Sequence, residues 1–181
     1  MGERNSPLLC GGLFYFEKET GMIRPVQIQD ARELCEIYNY YIENSPVTFE
    51  EVPVSEEEMK MRIKSITEKY PWLVWEQREG ITGYAYLNLW KERSAYRFSA
   101  EDTVYLKTDC EGKGIGSALL SGLINQTAQT GIHAIVAGIT LPNEKSVGLH
   151  EKMGFRKIAH FSEIGKKFGE WLDVGYWELI L

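Results

Sequence analysis

Apolar and polar side chains alternate over residues 22–28 with a period of two, which predicts a half-buried strand. The period then lengthens. Leu34, Ile37, Tyr38 and Tyr41 share one face of a helix that starts at an Asp30 N-cap and runs to about residue 43. Pro46 and Pro53 exclude regular helix from residues 44–53. Ser55 with Glu58 has the form of a capping box, and Met59, Ile63 and Ile66 continue a second amphipathic helix that ends at Tyr70-Pro71. Residues 72–77 and 81–90 are rich in aromatic and β-branched side chains and flank a turn at Arg78-Glu79-Gly80, the pattern of an antiparallel hairpin. A polar loop, 91–98, leads to a strand at 102–107. A glycine-rich turn then opens a third helix carrying Leu119, Leu120, Leu123 and Ile124, which Gly131 ends. The apolar run 134–140 reads as a buried strand. Asn143 caps a short helix ending near Met153-Gly154, and strands at about 156–164 and 172–181 complete the pattern. The order β-α-α-β-β-β-α-β-α-β-β predicts one mixed α/β layer structure.

A chain of 181 residues fits one domain. With Lys+Arg 20 against Asp+Glu 26 its net charge is −6, the wrong sign for a general nucleic-acid binder. No apolar run reaches the roughly 18 residues that a membrane-spanning helix needs, so no membrane partner is expected. Cys10, Cys35 and Cys110 are odd in number and scattered, as are His133, His150 and His160, so neither a disulfide framework nor a metal site is expected and a reducing, cytoplasmic setting is. Residues 8–16 are apolar, but Gly11 and Gly12 interrupt them, Glu3 precedes them and Glu17-Lys18-Glu19 follows, which does not fit a signal peptide. Met22 reads as a domain start, giving a domain over 22–181 and an N-terminal extension over 1–21.

The strongest local signal for chemistry is the strand–turn–helix unit around Glu111-Gly112-Lys113-Gly114-Ile115-Gly116. Glycines let backbone N–H groups converge without Cβ obstruction, and a helix start adds partial positive charge, so the turn either cradles an anion such as a pyrophosphate or is a plain strand-to-helix connection. Lys113 lies between the glycines, unlike a P-loop, and the turn comes too late in the chain for a dinucleotide fingerprint. The turn resembles the Q/R-x-x-G-x-G/A acetyl-CoA loop of the GNAT superfamily of N-acetyltransferases. The downstream segment Leu141-Pro142-Asn143-Glu144-Lys145-Ser146-Val147-Gly148-Leu149-His150-Glu151-Lys152-Met153-Gly154-Phe155 is similar to that superfamily's N-x-x-S/A…L-Y/H-E-K-x-G-F segment. Tyr70-Pro71-Trp72-Leu73-Val74, the Trp90-Lys91-x-Arg93-x-x-Tyr96 loop, Glu101-x-Thr103-Val104-Tyr105 and the segment from Lys167 to Trp177 resemble the phosphinothricin and methionine sulfone (sulfoximine) N-acetyltransferases.

The resemblance implies a mixed, mostly antiparallel sheet with a splayed central strand pair and helices on both faces. It implies acetyl-CoA as co-substrate and no metal. Backbone groups of Val104, Tyr105 and Leu106 would pair with the pantetheine arm. Gly112, Lys113, Gly114, Ile115, Gly116 and Ser117 would hold the pyrophosphate, and Asn143 would face the thioester end. Glu111 departs from the superfamily's Gln or Arg, and its charge is expected to repel the pyrophosphate. Amine acetylation needs a base to remove the ammonium proton. The resemblance puts Glu101 in that role; read alone, the sequence favours a solvated charge beside Asp102. His150 is either a proton donor to the thiolate, an assisting base, or a structural histidine at a helix end. A backbone N–H near Leu106 would stabilise the oxyanion. Phe49, Lys91, Arg93 and Tyr96, together with Glu101 and Thr103, would line the pocket of a small anionic amino acid, a guanidinium and an ammonium suiting its oxygens; an ordinary exposed basic loop is the alternative for Lys91 and Arg93. The expectation is therefore transfer of acetyl to an α-amine by direct attack in a ternary complex, by a homodimer. A different amine acceptor, or a non-catalytic acyl-CoA-binding module, stands beside it.

Overall fold

Trp72, Leu73, Val74 and Trp75 are all buried, which a strand with one wet face does not allow; the sheet they belong to is covered on both sides. The computed structural model describes residues 21–181, so the expected N-terminal extension lies, except for Gly21, outside the described residues, as does Cys10. In chain order the elements are β1 (Met22–Pro25), α1 (Ala31–Asn44), α2 (Glu56–Thr67), β2 (Trp72–Gln77), β3 (Gly80–Leu89), β4 (Ser99–Leu106), α3 (Ile115–Thr127), β5 (Ala134–Leu141), α4 (Glu144–Lys152), β6 (Arg156–Lys167) and β7 (Glu170–Ile180). The seven strands form one sheet in the order β1-β2-β3-β4-β5-β7-β6.

Successive residues of β2 face opposite helices. Trp72 and Val74 join Leu34, Ile37, Tyr38, Met59 and Ile63 beneath α1 and α2. Leu73 and Trp75 join Leu119, Leu120 and Leu123 of α3, and the same core continues through Ile135, Ala137, Ile139, Phe155 and Trp177. Each fully buried leucine of α3 contributes about 2 kcal/mol of apolar transfer.

All neighbouring strands are antiparallel except β4 and β5. Their parallel pairing covers only Ser99↔Ala134, Ala100↔Ile135 and Glu101↔Val136. Both strands continue past that point, β4 to Leu106 and β5 to Leu141, without pairing to each other, so the sheet splays at its centre.

Local details depart from expectation. Strand β4 begins at Ser99, three residues early, because Ser99-Ala100-Glu101 is held by ladders to both β3 and β5 despite its loop-like composition. Asp30 precedes α1 but makes no side-chain cap; its carboxylate binds the Arg24 guanidinium at 2.7 and 2.9 Å and accepts the Gln27 N–H. Ser55 does cap α2, accepting from the Glu58 N–H at 3.2 Å. Strand β6 runs on to Lys167 through an irregularity between Phe161 and Gly165.

Candidate active site

Beyond the Glu101↔Val136 rung, β4 and β5 diverge around a cleft of about 760 Å³. Residues 102–106 form one wall and 137–140 the other; the glycine turn and α4, which meet at the Glu111–Lys145 pair, complete its lining. The unpaired inner edges of a splayed sheet offer backbone groups to an extended ligand, as a missing strand would.

At one end, Gly112 (φ +73°) and Gly114 (φ +84°) occupy the left-handed region that L side chains rarely adopt, which is why the turn needs glycine there. Gly114 stands at the N-cap of α3, so the first N–H groups of the helix have no intrahelical partner, and Gly116 and Ser117 line the cleft. Ile115 is buried in the core, so only its backbone is available, and the Lys113 side chain is not part of the cleft wall. Glu111 is not a free charge: Lys145 of α4 pairs with its carboxylate, and the Tyr41 hydroxyl lies 3.3 Å away while donating to the Leu106 carbonyl at 2.7 Å. All four residues line the cleft, so the expected repulsion is offset by an ion pair across it. Turn and helix start together suit a pyrophosphate, and the open strand edges suit an amide-bearing arm.

The central wall contains Thr103, Val104, Tyr105 and Leu106. The Tyr105 ring packs 5.1 Å from both Tyr38 and Tyr41, leaving its backbone to face the cleft. Asn143 caps α4, its Oδ1 accepting the Ser146 N–H at 3.1 Å, and lines the cleft.

Two adjacent carboxylates mark the point of splay. Glu101 belongs to the last parallel rung and lies beside Gly138 and Tyr176. Burial, reinforced by the Asp102 charge, pushes its carboxyl up from 4.5 to about 7. Asp102 faces the other side of the strand, where its Oδ2 sits 2.9 Å from His150 Nε2. His150 Nδ1 lies 2.7 Å from the Ser146 carbonyl, which can only accept, so Nδ1 carries a hydrogen. Both ring nitrogens are thus committed, and the imidazole is buried, with the Phe155 ring edge-on at 5.1 Å. Burial lowers its pKa, but the Asp102 hydrogen bond and charge, with the Ser146 carbonyl, outweigh that and leave it raised. Asp102 Oδ1 is buried without a hydrogen-bond partner.

Of the residues expected around the acceptor, Thr103 lines the cleft, whereas Phe49, Lys91, Arg93, Tyr96 and Glu101 are not part of its wall. Phe49, 42% exposed, packs against Gly165 of β6. Its loop is held by the Tyr38–Thr48 hydroxyl pair at 2.9 Å and by buried Lys167, which donates to the Ser45 and Thr48 carbonyls at 2.9 and 2.7 Å. Lys91, Arg93 and Tyr96 lie on the exposed β3–β4 loop, with the Lys91 ammonium over the Trp90 and Tyr96 rings. Trp90 meets Tyr176 edge-on at 5.5 Å, and Tyr176 adjoins Gly138, as Glu101 does, so this loop reaches Glu101 through two aromatic rings.

A splayed sheet beside a glycine-cradled helix start has what is needed to hold an extended, phosphate-bearing acyl donor. Residues 23–175 match the acetyltransferase (GNAT) domain family, and the chain belongs to it. It is 37% identical over 162 residues to phosphinothricin N-acetyltransferase from Streptomyces viridochromogenes, covering 90% of this chain and 88% of that protein. An L-methionine sulfoximine/L-methionine sulfone acetyltransferase from Salmonella typhimurium is 40% identical over 112 residues, 62% of this chain and 66% of that one. Among solved structures, a GNAT superfamily phosphinothricin acetyltransferase from Sinorhizobium meliloti in complex with acetyl-CoA superposes with a TM-score of 0.86 at 37% identity, covering 90% of this chain and 89% of that chain.

Sequence reasoning did not single out Tyr41, Lys145, Gly138 or Tyr176. Tyr41 shares the apolar face of α1 with core residues, and Lys145 meets its partner Glu111 from 34 positions away, beyond any local pattern. Among the described residues no group of three His, Cys, Asp or Glu side chains could hold a metal ion, and no helix is long and apolar enough to cross a membrane.

Proposed function

We propose that this chain transfers acetyl from acetyl-CoA to the α-amine of a small anionic amino acid, with phosphinothricin, methionine sulfone and methionine sulfoximine as the substrate class. The observation that carries this reading is Glu101: a carboxyl poised near neutrality, half-buried where the two strands part. Acetyl-CoA supplies the acyl group as a thioester. Val104, Tyr105 and Leu106 offer backbone groups to its arm, residues 112–117 receive the pyrophosphate, and Asn143 faces the thioester end. Glu101 takes a proton from the ammonium, and the nitrogen forms its bond to the acetyl carbon as the carbon–sulfur bond breaks. The electron pair leaves with sulfur, which ends as the thiol by taking up a proton. A backbone N–H near Leu106 supports the carbonyl oxygen. Glu101, not His150, is the base, because neither imidazole nitrogen has a free lone pair while Asp102 and Ser146 hold the ring.

Lys91, Arg93 and Tyr96 serve the acceptor's anionic end, with Phe49 and Thr103 beside it. Residues 22–181 form the catalytic domain and 1–21 an extension. The protein acts in the cytoplasm, where such acetylation confers resistance to the toxic amino acid. A second copy covers the exposed Ile158, Phe161, Ile164, Phe168 and Trp171 of the β6–β7 hairpin, making a homodimer.

The test is CoA release from acetyl-CoA with L-phosphinothricin, L-methionine sulfone, L-methionine sulfoximine, glutamate, spermidine and an N-terminal peptide. Turnover confined to the first three is expected. Turnover of spermidine or peptide instead overturns the acceptor class, and binding of acetyl-CoA without turnover of any acceptor overturns the enzymatic reading.

A further inference from the structure

Strand β5 is buried from Ala134 to Thr140 except at Gly138, which is exposed in the middle of the sheet. The exception has a geometric cause. Gly138 lies two residues past the last β4–β5 rung, on the same face as Val136 and its partner Glu101, and opposite Tyr176 of β7. It therefore opens onto the cleft where the strands part. A Cβ built there would stand 3.1 Å from Glu101 Oε1 and 3.2 Å from Tyr176 Cε1. A nitrogen giving its proton to a carboxylate stands about 2.6–3.2 Å from it. The space left by the missing side chain is thus within hydrogen-bond reach of the base, open to the cleft and walled by an aromatic ring.

We infer that Gly138 is the seat of the acceptor amine, a specificity-determining position whose lack of a side chain lets the nitrogen stand between Glu101 and the acyl group. This rests on the reading of Glu101 as base. The position has no backbone need for glycine: its φ is not among the positive values, so the strand backbone accepts alanine, and the added Cβ needs only the Glu101 and Tyr176 side chains to give by a few tenths of an ångström. Glycine inside a strand weakens it, and one retained there marks close approach of another group.

The test is Gly138→Ala, with Gly138→Val as the larger step and Glu101→Gln made separately. Each is measured for kcat and KM with L-phosphinothricin, for acetyl-CoA affinity and for melting temperature. Gly138→Ala is expected to unfold in one cooperative transition like the parent and to bind acetyl-CoA within about twofold. Its kcat/KM for the acceptor should fall by about a hundredfold, the scale set by displacing a reactant about 1 Å, and further for valine. Turnover within about threefold of the parent overturns the inference. So does an equal loss of acetyl-CoA affinity, which would make the glycine a donor contact. If Glu101→Gln is impaired and Gly138→Ala is not, the base stands and the seat does not; if Glu101→Gln turns over normally, the base reading falls on its own.

Discussion

Glu101→Gln should make the protein more stable in alkaline solution and inactive as a transferase, and both effects follow from the same burial. A carboxyl raised from 4.5 in the unfolded chain to about 7 when folded binds its proton more tightly in the native state. Stability then falls as pH rises, because ionising the group costs more folded than unfolded. The loss is nearly absent at pH 4.5, grows between about 4.5 and 7, and is complete by pH 8. At about 1.4 kcal/mol per tenfold in proton affinity it reaches about 3 kcal/mol. Glutamine carries no charge, but its amide still gives up water in the same place, so the expected gain at pH 8 is about 1–3 kcal/mol. For a chain of this size that is about 2–10 °C in Tm. Thermal unfolding of parent and variant at pH 4.5 and pH 8 reads the difference, other titrating groups being common to both. Equal Tm differences at the two pH values, or a variant less stable at pH 8 than the parent, would refute the account of Glu101 as a desolvated carboxylate. Such a carboxylate is a cost that stability alone does not explain, and groups perturbed in this way cluster at functional sites.

Asp102→Asn removes the carboxylate whose hydrogen bond and charge raise the pKa of His150 against its burial. The stabilisation from that pair is fully present below about pH 6.5 and is lost as pH rises through the raised value, so the variant should lose about 3 kcal/mol in urea unfolding at pH 6 and clearly less at pH 9. A loss equal at both pH values would show that Asp102 acts through packing alone. Glu111→Gln frees Lys145 and removes a carboxylate beside the phosphate cradle. Calorimetry should show acetyl-CoA affinity rising about three- to tenfold at low salt, the gain shrinking at high salt where charges are screened; unchanged or weaker binding at low salt contradicts the placement of the phosphates.

The order of elements was legible because each has a strong local cause: alternation in β1, apolar helix faces in α1 and α3, caps at Ser55 and Asn143, and glycines where the turn before α3 requires positive φ. What could not be read was set by distant partners. Ser99-Ala100-Glu101 has weak strand propensity and is strand only because two neighbours hold it, and that fact turns Glu101 from a surface charge into a half-buried one. The Asp102–His150 and Glu111–Lys145 pairs join residues 48 and 34 positions apart, beyond any local pattern. Asp30 shows the converse, a good cap residue by sequence whose carboxylate is taken by Arg24. Gly138 is invisible in a run such as Ala137-Gly138-Ile139, because its meaning depends on the strand beside it having turned away.

The central claim, that acetyl transfer runs at the splay with Glu101 as the base, is tested most directly by the pH dependence of kcat with L-phosphinothricin at saturating acetyl-CoA, for the parent and Glu101→Gln. The account predicts an acid limb near pH 7 in the parent, its loss in the variant, and a kcat lower by at least about a hundredfold. The same limb in both proteins, with kcat within about tenfold, would contradict it.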